Sequence, residues 1–241
     1  MTKTSVLALA FGLACITPGI AGANLLLNGD LDVTYQQEIV PNFFLPKPAN
    51  WINDGTRSST GAYEDEMSSE SWAGPAPTPV TTNGANSDDW GVFFKPFSGT
   101  STNLATGHLY QDVAATAGTV YTMTGWAGGE ANALMQDAVF AMEFHDAAGG
   151  LLSQVSLSLL PTLVTANGQA FQYKLYSLTG TAPTGTNFVR VRASMINAQS
   201  NPLGGGQAFV VDDFTLDAVP EPGTMALLGL AGLAALKRRK K

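Results

Sequence analysis

Between its two ends the chain reads as short apolar runs separated by clusters of glycine, asparagine, proline and serine. In the run Val120–Trp126, Tyr121, Met123 and Gly125 fall on one face. In Phe188–Arg192, Val189 and Val191 point inward while Arg190 and Arg192 point out. A period of two is the mark of a half-buried β-strand, whose side chains alternate between faces. The pattern predicts strands over Leu25–Leu27, Trp90–Phe94, His108–Val113, Val120–Gly128, Ala138–Asp146, Leu151–Leu159, Phe171–Thr179, Asn187–Met195 and Phe209–Asp217. Ala147-Ala148-Gly149-Gly150 is a hairpin turn between two of them, because glycine enters the turn conformations that other residues resist. No long 3.6-residue period of apolar positions lies outside the two ends. The expected architecture is all-β, a single β-sandwich or jelly roll.

Residues 42–103 break the rhythm. They are rich in Ser, Thr, Gly, Pro and Asn, and hold Glu64-Asp65-Glu66 and the tract Gly74-Pro75-Ala76-Pro77-Thr78-Pro79. Three of the four tryptophans, Trp51, Trp72 and Trp90, are also here. A long polar stretch carrying large aromatics is a folded, loop-rich insertion rather than a free linker. The expected domain is therefore 24–218, with 42–103 as its insertion.

The ends have a different physics. Lys3 precedes an apolar stretch from Val6 to Ile16, Pro18 and Gly19 break it, and Ala21-Gly22-Ala23 is a small-residue cleavage site. Residues 1–23 are thus expected to be a secretory signal peptide, cut before Asn24. At the other end stand Pro220-Glu221-Pro222, an uncharged run from Gly223 to Leu236, and the basic cluster Lys237-Arg238-Arg239-Lys240-Lys241. As a helix that run is about 21 Å long, short of a hydrocarbon core of roughly 30 Å. It suits a transient anchor whose basic end stays in the cytoplasm. Pro220 and Pro222 hold the chain extended before it.

This terminal order of motif, apolar run and basic cluster, residues 219–241, resembles the sorting signal of bacterial PEP-CTERM proteins. The resemblance implies transient anchoring in the inner membrane of a Gram-negative-type bacterium. It further implies processing by an exosortase-type membrane protease, and a final place at the cell surface or in the extracellular matrix of a biofilm.

Charge and cysteine content sharpen this. The chain has formal net charge −7, and six of its 12 basic residues lie in the two ends against one of its 19 acidic ones, Glu221. What lies between is strongly acidic, which excludes nucleic acid and anionic lipid as partners drawn by charge. The one cysteine, Cys15, falls in the apolar part of the signal peptide. An exported domain without it has no disulfides to stabilise it and depends on its core.

Three segments carry a second resemblance. Asn24-Leu25-Leu26-Leu27-Asn28-Gly29-Asp30-Leu31-Asp32 looks like the first strand of galactose-binding-like jelly rolls. Gly107–Val113 with Thr119–Trp126 resembles their central strand pair, and Phe209–Leu216, containing Asp212-Asp213, resembles their last strand. Leu31 and Asp32 depart from the phenylalanine and glutamate usual there. The resemblance implies a structural calcium ion near Asp32, Asp212 and Asp213, with carbonyls near Asn28 and Asp30. Carboxylates beside carbonyl-rich turns are the ligands calcium takes. Asp212 shares the alternation phase of Val210, Phe214 and Leu216 and is expected to face inward.

Sugar binding needs aromatic faces with polar groups beside them. Trp51, Tyr63, Trp72, Trp90 and Trp126 are the candidate rings, and Trp51, Trp72 and Trp90, in the polar insertion, are put forward. Catalysis has no signature. There is no G-x-S-x-G elbow, and no spacing fixes a pair of carboxyl groups across a cleft. His108 and His145 stand on separate predicted strands with no zinc pattern. The expectation is a non-catalytic surface or matrix protein that binds or associates with exopolysaccharide. A purely structural envelope role is the alternative, and a polysaccharide hydrolase a more distant one.

Overall fold

The computed structural model describes residues 23–59, 67–71, 89–96, 98–163, 165–166 and 173–219. The expectations placed on Ala21, Tyr63, Trp72, Pro220, Glu221 and Pro222, on the signal peptide and on the terminal apolar run, lie outside them. Thirteen strands occur among the described residues: β1 (Thr34–Val40), β2 (Phe43–Pro48), β3 (Ile52–Arg57), β4 (Met67–Glu70), β5 (Gly91–Phe94), β6 (Ala105–Ala114), β7 (Val120–Glu130), β8 (Asp137–His145), β9 (Leu151–Ser158), β10 (Thr165–Ala166), β11 (Lys174–Thr181), β12 (Phe188–Ala198) and β13 (Phe209–Val219). A 3₁₀ turn at Leu160–Thr162 is the one helical element among these residues.

The strands make two sheets and a separate hairpin. One sheet runs β3-β6-β12-β8-β9; the other runs β10-β7-β13-β5-β4, with β11 also paired to β7; among the described residues β1 and β2 pair only with each other. The architecture is the expected β-sandwich. Val189 and Val191 are fully buried, and so are Phe140, Met142 and Phe144 of β8. Across the interior they meet Tyr121 and Met123 of β7 and Phe214 and Leu216 of β13 in one continuous core. Each such side chain removed from water contributes about 1.5–3 kcal/mol.

Gly125 belongs to the same inward row. A Cβ there would lie 2.6 Å from the Phe214 ring and 3.0 Å from Phe140. The missing side chain lets Phe214 and Phe140 meet edge-on, 5.2 Å between centroids. That pair sits where the two sheets are pinned together.

The expected strand at Leu25–Leu27 does not form. Leu25 donates to the Leu216 carbonyl at 2.9 Å, but the adjoining groups of β13 are taken by a side chain. Asn24 Nδ2 donates to the Phe214 carbonyl at 2.9 Å, and Asn24 Oδ1 accepts from the Leu216 amide at 2.9 Å. A carboxamide that imitates a peptide group occupies the positions a paired strand would use. Gly29 then closes on β13. Phe214 donates to its carbonyl at 2.7 Å, and a Cβ at Gly29 would stand 2.3 Å from the Phe214 oxygen.

The stretch 42–103 holds more order than its composition predicts, since β2, β3, β4 and β5 lie within it. Pro46, Pro48 and Gly55 inside these strands conceal the alternation.

A one-residue bulge in β13 sets up everything that follows. Asp212 pairs with Trp126 and Thr215 with Thr124, so β13 spends two residues where β7 spends one. Asp213 takes φ 49° there, a left-handed conformation that aspartate tolerates better than most residues. The extra residue inverts the alternation phase. Phe214 and Leu216 face the core, whereas Val210 and Asp212 lie on the outer face. The expectation that Asp212 shares the inward phase is thus corrected. Val210 packs instead in a small second cluster with Phe93, Ala208 and Tyr173.

Candidate functional site

The outer face of the β7–β13–β11 sheet carries a cleft of about 490 Å³. Trp126 and Leu175 line it with Thr124, Thr215, Asp30 and Asp213, and the loop at Asn28–Gly29 bounds it. Leu175 is the cross-strand partner of Trp126, so the two form one apolar platform. Trp126 is half-buried, and its indole N–H has no hydrogen-bond partner among the described residues. Thr124 and Thr215 bond each other, Oγ1 to Oγ1, at 2.7 Å.

Beside the platform lies an acidic corner. Asp212 is fully buried. Its Oδ1 accepts from the Asp213 amide at 2.7 Å, and its Oδ2 has no hydrogen-bond partner among the described residues. Burial pushes its carboxyl up to about 10, and the negative charges of Asp213, Asp89 and Asp32 add to this against the opposing amide bond. Asp213 is raised to about 6 by burial, then by Asp89, Asp30 and Asp32. Asp89 is raised by burial and by Asp30. Tyr173 is pushed up by burial, then by Asp212, Asp89 and Glu130. Asp32 Oδ1 accepts from the Trp90 amide at 2.8 Å, which brings the segment before β5 to the corner. Mutual repulsion among carboxylates with an orphan oxygen at the centre is the electrostatic signature of a place that favours a cation.

Asp32, Asp212 and Asp213, named from the sequence, are therefore drawn into one region. They do not form a closed cage: among the described residues no three His, Cys, Asp or Glu side chains converge as metal ligands. The donor chemistry fits calcium, whose shell of six to eight oxygens is completed by carbonyls and water.

The tryptophans separate. Trp51 is 6% exposed. It packs on Phe214 with centroids 5.1 Å apart, and its Nε1 donates to the Asn28 carbonyl at 2.9 Å. The expectation of a ligand face at Trp51 is corrected: both the ring and its polar handle are used internally. Trp90 is half-buried at the acidic corner. Trp126, in contrast, is the ring that meets the cleft. Its sequence signal was the outward phase it shares with Thr122 and Thr124, opposite Tyr121 and Met123. Leu175 carried no signal of its own, and Asp30 was marked only as a source of backbone carbonyls.

The outer face of the opposite sheet is polar but already paired. Arg190 makes a two-pronged ion pair with Asp112, at 2.7 and 2.8 Å, and its guanidinium covers the Tyr110 ring at 3.9 Å. The His145 and Phe188 rings stack at 4.8 Å. His108 Nδ1 lies 2.7 Å from Ser194 Oγ and 3.2 Å from Arg192 Nη1. Arginine only donates, so Nδ1 accepts and the neutral ring carries its proton on Nε2. Burial and then Arg192 hold this histidine below its usual range. Ser194 is 1% exposed, which leaves the Ser–His contact no room to act on a substrate.

Solved structures similar to this chain include several carbohydrate-binding modules. One is TmCBM61, solved with β-1,4-galactotriose: 16% identity, TM-score 0.45, covering 81% of this chain and 98% of that one. Another is the xylan-binding domain CBM22-1 of Paenibacillus barcinonensis: 13% identity, TM-score 0.41, covering 83% and 96%. The enzymatically active domain of bacteriophage CBA120 tailspike protein 4 is also similar: 12% identity, TM-score 0.50, covering 81% of this chain. The chain spans about a fifth of that tailspike, 21%. At these identities the likeness is one of fold. No curated protein matches the chain in sequence. The C-terminus carries the PEP-CTERM protein-sorting motif, matched over residues 218–241.

Proposed function

We propose that this is an exported, exosortase-processed surface protein whose sandwich binds exopolysaccharide at the Trp126 cleft without catalysis. Supporting export are the terminal sorting motif and the expected signal peptide ending at Ala21-Gly22-Ala23. Two of the similar modules take glycans, galactotriose and xylan. The observation that carries the reading is the cleft itself. It joins an apolar platform of Trp126 and Leu175, a free indole N–H and the carboxylates of Asp30 and Asp213. Sugar rings offer C–H faces to the first and hydroxyls to the others.

The same proposal gives the acidic corner a calcium ion, held through Asp32, Asp212 and Asp213 with neighbouring carbonyls. When bound, the ion supplies positive charge that neutralises the corner and fixes the bulge of β13. The protein's own residues do the remaining work. Asn24 and Gly29 hold the N-terminal loop against β13, and Thr124 and Thr215 keep the cleft's base rigid. Glycoside hydrolysis needs two carboxyl groups across the scissile bond, one acid and one base. Here the carboxylates crowd one corner and raise one another, which suits a cation better than a sugar bond.

A glycan array together with pull-down on the producer's own exopolysaccharide, with calcium supplied, tests the reading. Retention of the protein without release of reducing ends is expected. No binding to any glycan would leave the purely structural envelope role, and release of reducing ends would return the hydrolase.

A further inference from the structure

One end of the sandwich is poor in charge. Three turns meet there: 115–119 between β6 and β7, 182–187 between β11 and β12, and 146–150 between β8 and β9. The first two are bonded to each other, and the second to the end of β8. Ala115 donates to the Asn187 carbonyl at 2.9 Å, Gly118 to Ala182 at 2.8 Å, and Asn187 to His145 at 2.7 Å. In a chain with 19 acidic residues, these turns carry a single charge, Asp146. Its Oδ1 accepts from the Ala148 and Gly150 amides at 2.9 and 2.8 Å, within its own turn. Apolar side chains stand open beside them. Leu151 is 54% exposed and Leu152 40%, with Leu152 Cδ1 3.7 Å from where a Cβ on Gly185 would lie.

The polypeptide leaves the sandwich at this same end. Val219, the last residue of β13, is 48% exposed and pairs with Val120, which in turn pairs with Thr181. Only Pro220, Glu221, Pro222 and Gly223 separate it from the apolar run beginning at Thr224. Even fully stretched, five residue steps span about 18 Å.

We infer that this three-turn end is a docking surface for the membrane, seated on the lipid headgroups while the C-terminal run is in the bilayer. The inference rests on the export reading above. An acidic domain on so short a tether would be pushed from an anionic leaflet. The end presented to the lipid carries only Asp146 among its turn charges, with Leu151, Leu152 and Val219 at its rim. The orientation has a consequence for the cleft. Trp126 lies six residues up β7 from Val120, about 20 Å along the strand, so the cleft is held clear of the lipid while the chain is anchored.

The test uses the full chain with Cys15→Ser, reconstituted through its tail in vesicles of phosphatidylethanolamine and phosphatidylglycerol. Single cysteines replace Ala148, Thr184 or, at the far end, Leu203, which is 93% exposed. Each carries an environment-sensitive fluorophore, and the lipid headgroups carry a nitroxide quencher. Quenching at Ala148→Cys and Thr184→Cys several-fold above that at Leu203→Cys is the expected result. The double variant Leu151→Asp/Leu152→Asp should lower it at the first two sites. Equal quenching at all three positions on vesicle-bound protein would overturn the orientation and leave the tail reading standing. Protein that stays free of the vesicles would overturn both.

Discussion

Trp126 and Asp212 are direct cross-strand partners, so they share one face of one sheet and yet meet opposite environments. Trp126 opens onto the cleft, and Asp212 is sealed from solvent. The side chains of Val210 and Tyr173 form a local apolar layer on that outer face, and Asp212 is buried beside it. The bulge at Asp213 brings these environments together. Without it, Asp212 would follow Phe214 and Leu216 into the main core.

Trp126→Ala should weaken glycan binding by about tenfold or more, roughly 1.4 kcal/mol, with little change in Tm, since the ring is half-exposed. Trp51→Phe should do the reverse. It leaves the Asn28 carbonyl without its indole donor and lowers Tm, while glycan affinity stays near that of the parent. Affinity electrophoresis against the bound glycan and thermal melting of both variants check the pair. Equal losses of affinity in the two would remove Trp126 from the site.

Asn24→Ala should destabilise by about 1–3 kcal/mol, the range for leaving buried backbone partners unsatisfied. Its carboxamide serves the Phe214 carbonyl and the Leu26 and Leu216 amides. Because Asn24 also bounds the cleft, the loop at Asn28–Gly29 should loosen first. Hydrogen exchange should show faster exchange at Leu216 than at Met123 of the same sheet. Uniform exchange across β13 and β7 would contradict this local role.

Where alternation ran unbroken, as in β7 and β12, the strands and their buried faces were legible in the sequence. Tyr121, Met123, Val189 and Val191 are all buried. The reading failed where one side chain or one residue changes the rule. Asn24 replaces a strand's hydrogen bonds, the bulge at Asp213 inverts a phase, and Pro46 and Pro48 hide β2. Trp51 misled for a related reason. Its polar surroundings in sequence say nothing of Phe214, which is 163 positions away in the chain and against its ring in space. The acidic corner was half legible. The pair Asp212-Asp213 with Asp32 pointed to it, but Asp89 and Asp30 join through loops whose closure no local pattern encodes.

Gly125→Ala tests how tightly the two sheets are joined. The added methyl would enter the Phe214 and Phe140 contact, and overpacking of this kind costs about 1–3 kcal/mol. Phe214 also supports Trp51 and borders the cleft, so the shift should spread to the site. A fall in Tm with a smaller loss of glycan affinity is expected. An unchanged Tm would mean that the rings move aside freely and the pinning is weak.

The acidic corner makes a prediction about pH in which the sign matters. The Asp212 carboxyl is near 10 in the folded protein and near 3.9 in the unfolded chain. Between pH 7 and 9 the folded state therefore holds a proton that the unfolded state has released. Stability must fall as pH rises, by about 1 kcal/mol per pH unit. His108, held low, changes charge below this window and does not interfere. Asp213, near 6, is already ionised within it. Calcium reverses the logic, because a ligating carboxylate has no proton to hold. With EDTA, Tm should decline from pH 7 to pH 9; with millimolar calcium it should be higher at every point and nearly flat. Asp213→Asn, which removes a carboxylate but keeps a side chain suited to the bulge, should blunt the calcium response while the EDTA decline persists. A decline unaffected by calcium would leave the buried acid but remove the ion, and a flat profile in EDTA would mean that Asp212 is ionised without one.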